Sequence, residues 1–211
     1  AGMIVVNYDG SRPEMCGNGL RCVALHVAAS GEPRSFTVAT DAGPRPCVVE
    51  SIGGEGREGV VAVDMGPAID LGPRRPASGS GYVFQAISMG NPHAVAIVDR
   101  DADPEALARA LGPAIEVDPV FPGRTNVEFA RVEADGTVTL WVWERGCGIT
   151  DACGTGACAA VAAAVRAGRA AAAGWVRVRL PGGWLEVAVA PGEAVRMRGP
   201  ARVVFSGSWP S

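Results

Sequence analysis

The sequence contains no lysine, because all 19 of its basic residues are arginine. Pyridoxal phosphate enzymes hold their cofactor as a Schiff base on a lysine, and P-loop enzymes use the lysine of their phosphate-binding motif. The absence of lysine therefore excludes both classes of enzyme.

Histidines, C-x-x-C motifs and long apolar runs are also scarce or absent. Histidine occurs only at His26 and His93 and no C-x-x-C pair is present, so we expect no metal site. With a net charge of -3 and no block of like charges, nucleic acid and anionic membranes are poor partners. The apolar runs are shorter than the roughly 20 residues that span a bilayer, and no signal peptide is recognised. We therefore expect a soluble, cytoplasmic protein with reduced thiols.

Two segments of the chain repeat one pattern. Residues 16–19 and 153–156 both read C-G-x-G, and each opens a run rich in Ala and Val that ends at a glycine 15 residues beyond the cysteine. Random placement of the cysteines and glycines would give roughly 0.1 copies of this motif, so two copies indicate an internal repeat. The repeat predicts two homologous halves, each with a helix that begins directly after its cysteine.

Strand patterns flank the two predicted helices in the same order. Apolar runs at 3–6 and 138–143 precede the cysteines, and the polar residue that follows each run, Asn7 or Glu144, stands nine positions before its cysteine. Alternating runs at 35–38 and 175–180 follow the helices, and each leads to a turn and another strand. Each half is therefore predicted as strand, polar loop, C-G-x-G, helix, strand, turn and strand.

A segment rich in Gly, Pro and Ser, residues 68–81, is predicted to link the halves. This places the domains at 1–78 and 79–211, and the last strand is allowed to return to the first half. Asn91 stands 153 - 91 = 62 residues before the second cysteine, whereas only 15 residues precede the first. If the halves are true repeats, the first lacks about 60 residues of the pattern.

The second half also opens with elements of its own. Its pattern predicts strands at 82–88 and 94–98 and a short helix near 104–111. Asp103 is the expected N-cap of that helix, because a proline follows it at the first helical position.

Cysteine followed by glycine at a helix start suits acid–base chemistry. The free N–H groups of the first turn bind an anion such as a carboxylate, and the helix dipole is expected to lower the pKa of the cysteine. Inversion of a stereocentre needs one group to remove a proton and a second to deliver one to the opposite face. Cys16 and Cys153 are predicted to be that pair. The remaining cysteines are expected to be small buried apolar residues: Cys22, Cys47, Cys147 and Cys158.

Four segments resemble the diaminopimelate epimerase family. Residues 7–22, NYDGSRPEMCGNGLRC, resemble its first cysteine motif, and residues 144–159, ERGCGITDACGTGACA, resemble the second. Residues 88–93, SMGNPH, and 124–127, RTNV, resemble two of its substrate loops. The resemblance implies an α+β fold of two pseudosymmetric domains, each a curved, mostly antiparallel sheet around a central helix that starts at C-G-x-G. It also implies cofactor-independent conversion of LL- to meso-diaminopimelate, in lysine and peptidoglycan precursor biosynthesis, by a homodimer.

The same resemblance implies roles for single residues. Cys16 and Cys153 would be the two bases. The backbone amides that hold the reacting carboxylate would be those of Gly17, Asn18, Gly154 and Thr155. The residues that contact the amino group at that centre would be Glu144 and His93. The residues that recognise the far, unreacting end of the substrate would be Asn7, Asn91, Asn126 and Arg145.

Two alternatives remain open at this point. Proline and hydroxyproline racemases resemble this architecture and use two cysteines, but they carry His where this chain has Asn18 and need to bind only one amino-acid centre. The other alternative is a non-catalytic binder, or a fold relative of the phenazine-biosynthesis type, which lacks the paired cysteines that this chain retains.

Two further expectations concern the ends of the chain. The family's N-terminal Gly-Asn-Asp segment has no equivalent here, so weak or absent activity is expected of the 211 residues. Apolar residues near Phe205 and Trp209 are the expected contact between the subunits of a dimer.

Overall fold

The structure is a computed structural model, and it describes residues 1–6, 10, 12, 15–78 and 81–208. The helices are α1 (Gly17–Ala29), α2 (Pro104–Glu116) and α3 (Gly154–Arg166). The strands of the first part of the chain are β1 (Ser35–Val38), β2 (Arg45–Gly53), β3 (Glu58–Gly66), β4 (Ile69–Arg74), β5 (Phe84–Ser88) and β6 (Pro92–Val98). The remaining strands are β7 (Asn126–Val132), β8 (Val138–Glu144), β9 (Gly148–Ile149), β10 (Val176–Leu180), β11 (Gly183–Ala188) and β12 (Val195–Arg202).

The chain divides into two compact units. Unit 1 consists of Ala1–Asp64 and Arg198–Ser211, and unit 2 consists of Met65–Met197. These units reflect which residues lie close together in space, and they do not test the repeat. The domain boundaries inferred from the repeat therefore remain a prediction.

Unit 1 places α1 on a small sheet. The strand order is β1-β2-β3-β12, and β2 pairs antiparallel with both β1 and β3. Alternate residues of β2, Cys47 and Val49, are buried, as the period of two in a half-buried strand requires. Helix α1 packs against β2 and buries Leu20 and Leu25 completely or nearly so. These contacts hold the start of α1 on a fixed platform.

Unit 2 surrounds α3 with a larger sheet. The strand order is β12-β11-β10-β8-β7-β6-β5-β4, and β6–β7 and β8–β10 are parallel pairs among antiparallel ones. Helix α3 packs against β5, β6, β7, β8, β10 and β11, and small alanine side chains allow this close approach. Helix α2 packs against β7 and β8, where Gly112 is required because a Cβ there would lie 2.6 Å from Trp143. Strand β7 is therefore buried along almost its whole length.

Most of the predicted elements are confirmed. The mixed α+β class and the mostly antiparallel pairing agree with the prediction. Strand β1 has the predicted bounds, β8 and β10 differ from theirs by one residue, and both C-G-x-G helices begin directly after their cysteines. Helix α2 begins where it was predicted, with Asp103 Oδ1 accepting from the N–H of Glu105 at 3.0 Å, but it continues through Pro113 to Glu116.

Two predicted elements are wrong. The expected linker at 68–81 contains strand β4, which pairs with β5 at the edge of the sheet. A bulge near Gly72 (φ +82°) and Pro73 at the edge account for the loop-like composition, because an edge strand tolerates both residues. The run at 3–6 is not a strand: next to it Gly2 forms an isolated bridge with Ala39, and Ile4 and Val6 are exposed.

Candidate active site

Cys16 and Cys153 have the same local geometry in their separate units. Each is the N-cap of its helix in an extended backbone conformation, with φ of -134° for Cys16 and -119° for Cys153. The Sγ of Cys16 accepts from the N–H of Gly19 at 3.3 Å, and the Sγ of Cys153 accepts from the N–H of Gly156 at 3.4 Å. A side chain that accepts from the third residue of the helix is the ordinary N-cap arrangement, here made by sulfur. The repeat in the sequence is therefore also a repeat of structure.

The glycine three residues after each cysteine leaves room for the sulfur. A Cβ on Gly19 would lie 3.3 Å from the Sγ of Cys16, and one on Gly156 would lie 3.2 Å from the Sγ of Cys153. A larger residue would therefore make a tight contact with the sulfur at the helix start. The first-turn amides of a helix have no acceptor inside it, so the amides of Gly17 and Gly154 are suited to an anion.

The surroundings of Cys153 correct one expectation. Burial raises the pKa of this thiol well above its ordinary value, and the carboxyls of Glu144 and Glu128 raise it further. Hydrogen bonds with Thr155 and with the N–H of Gly156 lower the pKa, but they are smaller causes. The helix start was expected to lower this pKa, and that reasoning omitted the loss of solvent around a 6% exposed cysteine.

A series of hydrogen-bonded side chains leads away from Cys153. Its Sγ lies 3.6 Å from the Oγ1 of Thr155, which accepts from the Nδ2 of Asn91 at 3.2 Å. The Oδ1 of Asn91 lies 3.0 Å from Nε2 of His93, and Nδ1 of His93 lies 2.6 Å from Oε1 of Glu128. His93 is 1% exposed, so both of its ring nitrogens face protein side chains. The structure thus brings together Cys153 and three other residues that the sequence singled out, and it adds Glu128.

The side chain of Asn126, the first residue of β7, joins two neighbouring segments of backbone. Asn126 accepts from the N–H of Arg145 at 2.9 Å through Oδ1 and donates to the carbonyl of Pro92 at 2.8 Å through Nδ2. Asn126 therefore holds the backbone of Arg145 and the backbone between Asn91 and His93. Next to Arg145, Glu144 accepts a short hydrogen bond from the hydroxyl of Thr150.

Glu116 is a second residue that sequence reasoning missed. This buried carboxylate, at the end of α2, accepts from the N–H of Gly146 at 2.7 Å and from Nε1 of Trp143 at 2.8 Å. It also forms a close ion pair with Arg124. Glu116 therefore fixes the turn that carries Arg145. The signal in the sequence is weak, since an acidic residue at a helix end is usually exposed.

A cavity of about 240 Å³ opens beside these loops in unit 2. Its lining includes His93 and three arginines, Arg74, Arg124 and Arg145. Arg124 is partly neutralised by Glu116, whereas the guanidinium of Arg145 donates a long hydrogen bond, 3.4 Å, to the carbonyl of Gly123. The charge and the donors of this cavity suit a carboxylate.

The structure describes the other predicted site residues in part. In unit 1 the Oδ1 of Asn18 accepts from Nη1 of Arg21 at 3.0 Å, beside the buried Gly17. Asn7 lies outside the described residues, as does Trp209.

The remaining cysteines only partly match their predicted burial. Cys47 and Cys158 are buried, as expected. Cys22 and Cys147 are exposed, so the prediction was wrong for these two, because it treated every cysteine outside the motif as a core residue.

Two other features bear on the class of protein. Over the described ranges, no group of three or more His, Cys, Asp or Glu side chains is arranged to hold a metal ion. None of the helices in the described part of the chain is long and apolar enough to cross a membrane.

Solved structures with this fold include racemases and epimerases. A probable proline racemase from Agrobacterium radiobacter has a TM-score of 0.70 at 16% identity, covering 97% of this chain and 72% of its own. A predicted epimerase from Pseudomonas aeruginosa has a TM-score of 0.66 at 18% identity, covering 97% of this chain and 79% of its own. At these identities the likeness shows the fold alone.

Comparison with proteins of similar sequence identifies the family of this chain. The chain is 45% identical over 226 residues to the diaminopimelate epimerase of Desulforudis audaxviator, covering 98% of this chain and 78% of the relative. It is 40% identical to the diaminopimelate epimerase of Bacillus cereus, covering 97% of this chain and 76% of that relative. The family model for diaminopimelate epimerase matches residues 2–70 and 85–204. The chain, with its two cysteine-capped helices, therefore belongs to the diaminopimelate epimerase family.

Proposed function

We propose that this protein converts LL-diaminopimelate to meso-diaminopimelate, with Cys16 and Cys153 as the two acid–base groups. The observation that carries the proposal is the matched N-cap geometry of the two cysteines in a chain of this family. No other pair of cysteines in the described residues has this helix-start position.

The proposed reaction exchanges protons and leaves the oxidation state unchanged. One cysteine, as the thiolate, takes the α-proton and becomes a thiol, while the C–H electron pair moves toward the substrate carboxylate. The other cysteine, as the thiol, delivers its proton to the opposite face of the same carbon and becomes a thiolate. The N–H groups of the first helical turn would bind the carboxylate and stabilise the charge that develops on it: those of Gly17, Asn18, Gly154 and Thr155.

The protonation of Cys153 fits this scheme in the absence of substrate. Because burial and two nearby carboxyls raise its pKa, Cys153 rests as a thiol and has a proton to deliver. Its thiolate form, when it arises, would be supported by hydrogen bonds with Thr155 and the N–H of Gly156.

The far end of the substrate would bind beside Arg145. A guanidinium pairs with a carboxylate through two parallel hydrogen bonds, and the cavity next to it carries two further arginines. Asn126 would act on the same end by holding the backbone of Arg145. Asn91 would act on this far end as well, whereas Glu144 would contact the amino group at the reacting centre. Asn7 completes the proposed set from the family resemblance.

The reaction would need no cofactor, and the protein would act as a cytoplasmic homodimer. The absence of lysine in the chain supports the first point, since pyridoxal phosphate has no Schiff-base residue. Val204 and Phe205 are 80% and 82% exposed, which supports an apolar contact with a second copy near the C-terminal end of unit 1.

Exchange of the α-hydrogen with solvent deuterium tests the proposal. The parent, Cys16→Ala and Cys153→Ala are each incubated with LL-diaminopimelate, meso-diaminopimelate and proline in deuterium oxide, with Cys22→Ala as a control for an exposed cysteine elsewhere on α1. Exchange in the parent and the control but in neither active-site variant supports the two-base reaction. A folded parent that exchanges proline and not diaminopimelate would move the assignment to the proline racemase type. A folded parent that exchanges neither would mean binding without catalysis.

A further inference from the structure

Glu128 is a fully buried carboxyl beside the start of α3. Its Oε1 lies 2.6 Å from Nδ1 of His93, and a Cβ on Gly156 would stand 3.0 Å from the same oxygen. Its Oε2 is also buried, and it has no hydrogen-bond partner within the part of the chain that the structure describes. One oxygen of this carboxyl therefore makes a short hydrogen bond, and the other makes none.

This asymmetry favours the neutral acid. In an ionised carboxylate both oxygens carry negative charge, and a buried charged oxygen without a donor is costly. In the acid form the proton on Oε1 is donated to His93, and Oε2 is an uncharged carbonyl oxygen whose lack of a partner costs less. Burial is the largest cause and raises the pKa of Glu128, and Glu144 raises it further, against the opposing effects of His93 and, less, of the backbone N–H of Ala94. Cys153 lies close to Glu128, and only an ionised Glu128 would raise the pKa of this thiol by its charge.

The other nitrogen of His93 leads to a matching assignment of its proton. Nε2 lies 3.0 Å from the Oδ1 of Asn91, and an amide oxygen can only accept. With the amide of Asn91 in this orientation, Nε2 carries a hydrogen. In a neutral imidazole Nδ1 is then bare, so it accepts the proton that Glu128 donates.

We propose that Glu128, as a neutral carboxylic acid, is a positioning residue that holds His93 in the tautomer with its hydrogen on Nε2. His93 then donates to Asn91, the Nδ2 of Asn91 donates to Thr155 at 3.2 Å, and the hydroxyl hydrogen of Thr155 is left for the Sγ of Cys153 at 3.6 Å. Every donor in this series of hydrogen bonds points toward the Sγ of Cys153, so the series stabilises a thiolate at that atom.

The opposite tautomer would reverse the chain. With hydrogen on Nδ1 and a bare Nε2, the amide of Asn91 would turn over, and the hydroxyl of Thr155 would donate to Asn91 and present a lone pair to Cys153. That arrangement disfavours a thiolate. The role of Glu128 rests on the proposed function only because it assumes that Cys153 carries a charge during the reaction.

Nitrogen NMR of the full chain labelled with ¹⁵N in histidine tests the assignment directly. The sequence has two histidines, and His26 is exposed on α1, so it serves as an internal reference that His26→Gln identifies. At pH 7 and pH 9 we expect His93 to carry hydrogen on Nε2 alone, with Nδ1 as a hydrogen-bonded acceptor. Hydrogen on both nitrogens at pH 7, the signature of an imidazolium paired with a carboxylate, would overturn the proposal. So would hydrogen on Nδ1 alone.

Two variants of similar volume separate positioning from packing. In Glu128→Gln the amide N–H replaces the acid proton as donor to Nδ1, so we expect the single Nε2–H tautomer to persist. In Glu128→Leu no donor remains, so we expect signals from both tautomers. A pure Nε2–H tautomer in the leucine variant would mean that Asn91 alone sets it, and the proposal would fail.

Neither measurement needs substrate. If a variant does not fold, the spectrum of the parent still decides between the tautomers. An inactive parent in the exchange assay would count against the proposed function and would leave this test unaffected.

Discussion

Removal of Glu116 should destabilise the protein far more than removal of an exposed glutamate from the same helix. In Glu116→Ala, three donors lose their acceptor: the N–H of Gly146, Nε1 of Trp143 and the guanidinium of Arg124. The side chain of Arg124 is 52% exposed, so water replaces the lost carboxylate and Arg124 contributes little to the loss of stability. The other two donors are part-buried and would each cost about 1–2 kcal/mol if left unpaired. We therefore expect a loss of about 2–4 kcal/mol in the free energy of unfolding.

Urea denaturation measures this loss as a lower midpoint with an unchanged slope. Glu105→Ala is the matched control, because Glu105 lies at the other end of α2 in a surface pair with Arg109 and its side chain is 42% exposed. The control should lose less than about 1 kcal/mol. Because Glu116 holds the turn after Arg145, Glu116→Gln should also raise KM for diaminopimelate more than it lowers kcat. Equal losses of stability for Glu116→Ala and Glu105→Ala would refute the role assigned to this carboxylate.

Four further predictions concern cysteine reactivity, packing, pH and substrate binding. Burial raises the pKa of Cys47 to about 11, so at pH 8 iodoacetamide should label the exposed Cys147 and leave Cys47 unmodified in the folded protein, as read by mass spectrometry. Gly156→Ala should destabilise the protein by about 1–3 kcal/mol in urea denaturation, because its Cβ would press on Cys153 and Glu128. A raised carboxyl pKa gives stability that is present below the unfolded value, about 4.3, and declines as the pH rises toward the folded value. Glu128→Gln should therefore gain stability relative to the parent by up to about 1.4 kcal/mol per pH unit, measured by denaturation between pH 5 and 8. Arg145→Lys should raise KM for diaminopimelate about tenfold with little change in kcat, since an ammonium cannot form the two-pronged pair.

Each of these four has a result that would contradict it. Labelling of Cys47 at the rate of Cys147 would mean that the core of unit 1 opens readily. Gly123→Ala is the packing control, because no atom lies within 4 Å of its added Cβ, and an equal loss there would remove the steric explanation. A constant stability difference between Glu128→Gln and the parent across the pH range would show that Glu128 is ionised in the folded protein. A fall in kcat alone for Arg145→Lys would place Arg145 at the reacting centre.

Local patterns account for the parts of the fold that were predicted. A helix start is defined by its cap and the next three residues, so C-G-x-G identified α1 and α3 together with the N-cap roles of Cys16 and Cys153. Alternating runs located β1, β8 and β10 for the same reason. Strand β4 was missed because Gly72 and Pro73 read locally as a loop, and only pairing with β5 makes them part of a sheet.

The partners of the missed residues are distant in sequence. Glu128 contacts His93 across 35 positions, and Glu116 contacts Gly146 across 30. A glutamate between the apolar residues Val127 and Phe129 is an available signal for Glu128, because a charged residue in a buried strand needs a partner or must lose its charge. Nothing in the sequence named that partner.

The sequence by itself determined the two cysteines, the helices they cap, the glycines that leave room for sulfur, and the family. These depend on contacts over three or four residues, which the order of amino acids specifies directly. The tertiary structure alone decided the raised pKa of Cys153, the side chains that form hydrogen bonds in series toward it, and the carboxylates that hold its neighbours. Those properties depend on burial and on charges brought close by the sheet, and water is excluded from Cys153 only when β7, β8 and α3 have packed together.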